Sequence, residues 1–115
     1  MNSVFVWGAP DGLEEEFYEN LTKEIIDIFD SQGLEPVAVF FPPERMKWDL
    51  GTEMIVYISG PNLPKKNGAR DMLATSVGIR VRSAFALAHF SLEYIDCVVL
   101  DEPKQGEGRW SWSKP

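Results

Sequence analysis

The feature that most constrains this chain is a succession of elements that occurs twice. Residues 3–7, Ser-Val-Phe-Val-Trp, form a short β-type run closed by the turn Gly8-Ala-Pro-Asp-Gly12. Leu13, Phe17, Leu21, Ile25 and Ile28 then recur at spacings of four, four, four and three, which is one face of an amphipathic helix. Pro36-Val-Ala-Val-Phe-Phe41 reads as a second strand, ended by Pro42-Pro43 because proline cannot donate to a ladder. The same order returns with a strand at 54–59, a helix from about 69 to 89 and a strand at 94–100. A strand-helix-strand crossover joins parallel strands with a right-handed connection. Two such units side by side predict an α/β (α+β) subunit of β-α-β-β-α-β order, with a four-stranded sheet and both helices on one face. The alternation Trp110-Ser-Trp-Ser113 predicts a short C-terminal strand with both tryptophans on one side.

Local signals sharpen the boundaries. Asp11 stands three residues before Glu14, a capping-box spacing with Asp11 as the cap. Glu14, Glu15, Glu16 and Glu19 crowd the first turns, where the helix dipole favours negative charge, and Gly33 supplies a C-terminal stop. In the second helix Ala69, Leu73, Val77, Val81, Ala84 and Ala88 share one face, with Met72 and Phe85 beside it. Arg70, Asp71, Arg80 and Arg82 fall largely off that face, and Gly78 weakens the middle of the helix by roughly 1 kcal/mol relative to alanine. In the strand at 94–100, Asp96 belongs on the more exposed face.

Composition narrows the function. At 115 residues the chain has the length of one domain, 1–115. A net charge of -7 without a basic patch excludes nucleic-acid binding and disfavours anionic membranes. No apolar run approaches the roughly 20 residues that span a bilayer, and no secretory leader pattern is present. The single cysteine, Cys97, permits no internal disulfide and fits a cytoplasmic protein. His89 is the one histidine and has no metal-ligand spacing around it, so it reads as a capping or structural residue. No phosphate-binding glycine loop is present, and no cofactor is expected.

The stretches 3–7, Phe41-Pro-Pro-Glu-Arg45, Trp48-Asp-Leu-Gly51 before 54–59, and Arg109-Trp-Ser-Trp112 carry a whole-chain resemblance. Together with the element order, they resemble the tautomerase superfamily, which includes macrophage migration inhibitory factor and the 4-oxalocrotonate tautomerase relatives. The resemblance implies homo-oligomers, most often trimers, with tail segments that reach a neighbouring subunit. It also implies keto-enol proton transfer on a small carboxylic acid, with an amino-terminal proline as the base. This chain departs from that pattern: Met1 is followed by Asn2 and Ser3, and the first proline is Pro10. The terminal amine of Met1 is then the candidate proton carrier, and the expected catalysis is weak or lost. Arg45 is the candidate carboxylate ligand because a guanidinium binds a carboxylate in a two-point fork. Lys47, Arg109 and Trp110 are further candidates for substrate binding. Two other readings fit the same residues, a non-catalytic small-molecule-binding subunit and a ferredoxin-like interaction domain.

Overall fold

The computed structural model describes residues 1–9, 12–42, 53–90, 92–100 and 108–115. Along them run β1 (Asn2–Trp7), α1 (Glu15–Ser31), β2 (Val37–Phe40), β3 (Glu53–Ser59), α2 (Asn67–Leu87), β4 (Tyr94–Val99) and β5 (Gly108–Ser113). The strands form one open sheet in the order β2-β1-β3-β4-β5. β1 lies parallel to β2, with Asn2 opposite Val37, and β3 lies parallel to β4, with Glu53 opposite Tyr94. Each parallel pair needs a crossover, which α1 and α2 supply. The two halves meet antiparallel at β1 and β3, where Val4 faces Ile58 and Trp7 faces Ile55.

The α+β class and the element order agree with the sequence reading, but the sheet has five strands in place of four. The fifth is the expected C-terminal strand, which joins the sheet by pairing antiparallel with β4 of its own chain, Cys97 opposite Trp110. Val4, Val6, Met54, Val56, Ile58, Ile95, Cys97 and Val99 project from one face of the sheet at a period of two and are buried. They pack against Leu21, Ile25 and Phe29 of α1 and Leu73, Val77, Val81 and Phe85 of α2. Each fully buried aliphatic or phenyl side chain of this kind contributes about 1.5–3 kcal/mol relative to exposure.

Three local expectations are corrected. Helix α1 begins after Glu14 with no side-chain capping bond, so the proposed Asp11–Glu14 box does not start it; Asp11 itself lies outside the described residues. Gly12, at φ 92°, turns the chain just before this point, and Leu13 packs on the core from outside the helix. Met72 is 68% exposed, because it sits on the solvent side of the α2 face. Arg70 is 1% exposed, because its guanidinium turns inward to bind main-chain carbonyls instead of pointing to solvent.

Both helices end in the same way. In α1 the Gly33 N–H donates to Asp30 O and the Leu34 N–H to Phe29 O, with Gly33 at φ 68°. In α2 the His89 N–H donates to Ala86 O and the Phe90 N–H to Phe85 O, with His89 at φ 63°. This paired 5→2 and 6→1 bonding is the Schellman arrangement, whose left-handed position usually holds glycine.

Candidate functional site

The two ends of the sheet differ in chemistry. At one end are the starts of β1 and β5 and the ends of β3 and β4. Met1 lies here and is 74% exposed, whereas Asn2 is fully buried. The Asn2 N–H donates to Pro36 O at 3.0 Å and its Nδ2 donates to Glu35 O at 3.1 Å, which ties the entry of β1 to β2. Gly60 runs so close to Asn2 that any side chain there would overlap the Asn2 amide. Arg45 and Lys47 lie outside the described residues.

Arg109 and Trp110 are neighbours in β5 and therefore point to opposite faces. Arg109 lies on the sheet face opposite the helices, where its Nε is 3.5 Å from Asp96 Oδ1; its main-chain N–H donates to Asp71 Oδ1 at 3.0 Å. Trp110 lies on the helical face against Gly78 of α2. The two residues thus cannot line one pocket within a single chain. Cys97 is buried beneath α2, and burial, followed by the charge of Asp96, pushes its thiol well above the ordinary range. A thiol held neutral in this way is a core residue rather than a nucleophile. Among the described residues no group of His, Cys, Asp and Glu is arranged to hold a metal ion, and no helix is long and apolar enough to cross a membrane.

The opposite end of the sheet holds a constellation that the sequence did not reveal. The C-terminal end of α2, the turn after it and the end of β5 line an open cavity of about 470 Å³. Its walls are Arg82, Ala86, His89, Phe90, Leu92, Trp112 and Lys114. The Arg82 guanidinium lies over the Trp112 ring, 3.8 Å from the ring centroid. A guanidinium over an aromatic ring is held by cation–π attraction. The backbone of Lys114, another lining residue, is held by its main-chain N–H, which donates to Glu93 O at 2.8 Å. His89 reaches the cavity from the left-handed position of the Schellman turn, where a non-glycine residue costs roughly 1 kcal/mol or more. Among the described residues, no carboxylate side chain lines this cavity, in a chain whose net charge is -7. A smaller groove of about 260 Å³ separates α1 and α2, with Phe17, Leu21 and Leu87 beside Glu24 and Arg80.

No sequence signal announces the larger cavity. Arg82, His89, Trp112 and Lys114 form no motif, and only the antiparallel return of β5 carries Trp112 and Lys114 to the end of α2. What the fold and its surfaces define is a two-layer α+β domain with a partly exposed aromatic sheet face opposite the helices and a basic, aromatic-walled cavity. Comparison of the chain with protein-family models, with curated proteins and with solved structures gives no match in any of the three.

Proposed function

We propose that this chain is a tautomerase-like subunit that assembles as a homo-oligomer, most simply a trimer, and whose proton-transfer chemistry is weak or lost. The observation that carries the reading is the pairing pattern: two parallel β-α-β halves joined antiparallel through β1 and β3. A subunit of the tautomerase type relates its two β-α-β halves by a pseudo-twofold axis, and parallel halves meeting antiparallel are compatible with that relation. The ferredoxin-like alternative calls for mainly antiparallel pairing, whereas two of the four strand pairs here are parallel.

The sheet face opposite the helices supports assembly. Phe5 stacks on Phe40 at 4.7 Å between ring centroids and on Trp7 at 6.4 Å. Ile55, Tyr57 and Tyr94 continue this apolar surface across β3 and β4, and each is substantially exposed. A contiguous aromatic surface of this kind on a soluble domain marks a contact surface.

The start of β1 supports weak chemistry. The candidate amine belongs to the exposed Met1, and the buried position one residue further in is an asparagine with no acid-base capacity. In an Asn2→Pro variant, methionine removal leaves a terminal secondary amine at the buried position beside Pro36 O. Burial disfavours the charged form of that amine and so favours a base at neutral pH.

The test combines light scattering with an enol-keto assay on phenylpyruvate. The expected results are a mass above the 13.0 kDa of one chain, wild-type turnover well below about 1 per second, and a rise in Asn2→Pro. A monomer, or a wild type that turns over at about 1 per second or faster, removes the reading.

A further inference from the structure

We propose that the cavity at the C-terminal end of α2 is a binding site for a small organic anion with a flat apolar body, an aryl carboxylate being the simplest chemical class. The site is independent of the start of β1. In β1 that start and the end nearer the cavity are separated by the length of a six-residue strand, about 17–20 Å.

Three observations converge on the ligand class. The first is charge. Arg82 and Lys114 line the cavity, no carboxylate side chain among the described residues does, and the rest of the chain is strongly acidic. A positive concavity on a negative protein concentrates its field on an incoming anion. The second is geometry. Arg82 stands over Trp112, its Cζ 3.8 Å from the ring centroid, so its guanidinium is anchored at this wall before a ligand arrives. An anchored guanidinium binds a carboxylate in two places with little loss of side-chain freedom. The third is the wall. Phe90, Leu92, Ala86 and the Trp112 ring give the cavity an apolar side, and about 470 Å³ suits a ligand of one or two rings. An inorganic ion would leave that side unfilled.

His89 adds a further argument. Glycine would relieve the left-handed backbone at this turn, yet the position carries a ring that lines the cavity. The left-handed turn thus aims the position of His89 at the cavity, where its ring is available to a bound ligand.

The experiment is calorimetric titration of the full chain with three probes: phenylacetate, its neutral analogue 2-phenylethanol, and inorganic phosphate. Phenylacetate is expected to bind at one site, and the two controls at least about tenfold more weakly, because each lacks one half of the recognition. Arg82→Gln and Lys114→Gln, both on the surface and compatible with folding, are expected to weaken phenylacetate binding about tenfold or more. His89→Gly is expected to raise the melting temperature while weakening binding, a combination that a purely structural histidine would not produce. Asn2→Pro is expected to bind phenylacetate as the wild type does, which separates this site from the chemistry at the start of β1. No binding by the wild type, equal binding of 2-phenylethanol, or undiminished binding in Arg82→Gln and Lys114→Gln overturns the proposal.

Discussion

The indole of Trp110 occupies the space that a side chain at Gly78 would fill. A Cβ at this position would overlap the six-membered ring of Trp110 and stand 3.1 Å from Cys97 Cβ. The glycine that weakens α2 as an isolated helix is therefore the notch that lets β5 dock.

Gly78→Ala tests this relationship. In a free helix the change gains about 1 kcal/mol. Here overpacking, typically about 1–3 kcal/mol, opposes that gain. The expected outcome of urea unfolding is a net loss of stability on the order of 1–2 kcal/mol. In a Trp110→Leu background the same substitution should be much less damaging, with a coupling of about 0.5–3 kcal/mol between the two positions. Additive effects would separate the residues energetically.

Arg70 fastens the connection before α2 to the end of β4. Its Nη1 donates to Pro64 O at 3.0 Å, its Nη2 donates to Leu100 O, and its Nε has no hydrogen-bond partner among the described residues. Arg70→Met keeps much of the volume but leaves two carbonyls unpaired, so a loss of about 2–4 kcal/mol in chemical denaturation is expected. Arg70→Lys should recover little of it, because one ammonium cannot span two carbonyls as a fork does. A fully stable methionine variant would show that apolar packing replaces the guanidinium.

Cys97 predicts an alkaline signature. The folded state holds the thiol neutral through burial and the Asp96 charge, whereas an unfolded thiol ionises near about 8.5. The folded value is the higher one, so the stability from this group is complete below about pH 8.5 and declines above it, by up to about 1.4 kcal/mol per pH unit. Unfolding curves between pH 8 and 9.5 should show this decline in the wild type and a shallower one in Cys97→Ala. Iodoacetamide should label Cys97 only once the protein is unfolded. Rapid labelling of the native protein would contradict the buried placement.

Phe40 tests the sheet face opposite the helices. It is 44% exposed and stacks on Phe5 without contributing to the core beneath the helices. Phe40→Lys should lower the mass measured by light scattering while changing the far-ultraviolet circular dichroism little. An unchanged assembly would exclude this face as the contact surface.

The strands at 3–7 and 54–59 were legible as short β-branched and aromatic runs bounded by turn residues, whereas which side of each is buried was not, because both sides are apolar. Gly33 was legible as a stop because its left-handed turn favours glycine. His89 could not be read in the same way, since a histidine in that conformation gives no pattern. Arg70 was misread because helical spacing marks where a side chain begins, and a long side chain chooses its own direction. Of the residues expected to form a site, Met1, Arg109 and Trp110 are not gathered in the described fold, and Arg45 and Lys47 lie outside the described residues. The cavity at the end of α2 arises from a tertiary juxtaposition of α2 and β5, which no local spacing encodes.

The interior position of β1, between β2 and β3, has a kinetic consequence. Both neighbours of this strand come from distant parts of the chain: Asn2 waits for Val37, and Ser3 waits for Ser59. Neither ladder can form by zipping outward from a tight turn, so loops must close before any pairing rewards them. Folding should therefore be slow for a chain of this size, and the amide protons of Val4 and Val6 should gain protection from exchange together and late. In the native protein they should be released only by opening of the whole sheet, which would make β1 the most persistent part of the exchange record although it lies nearest the start of the sequence.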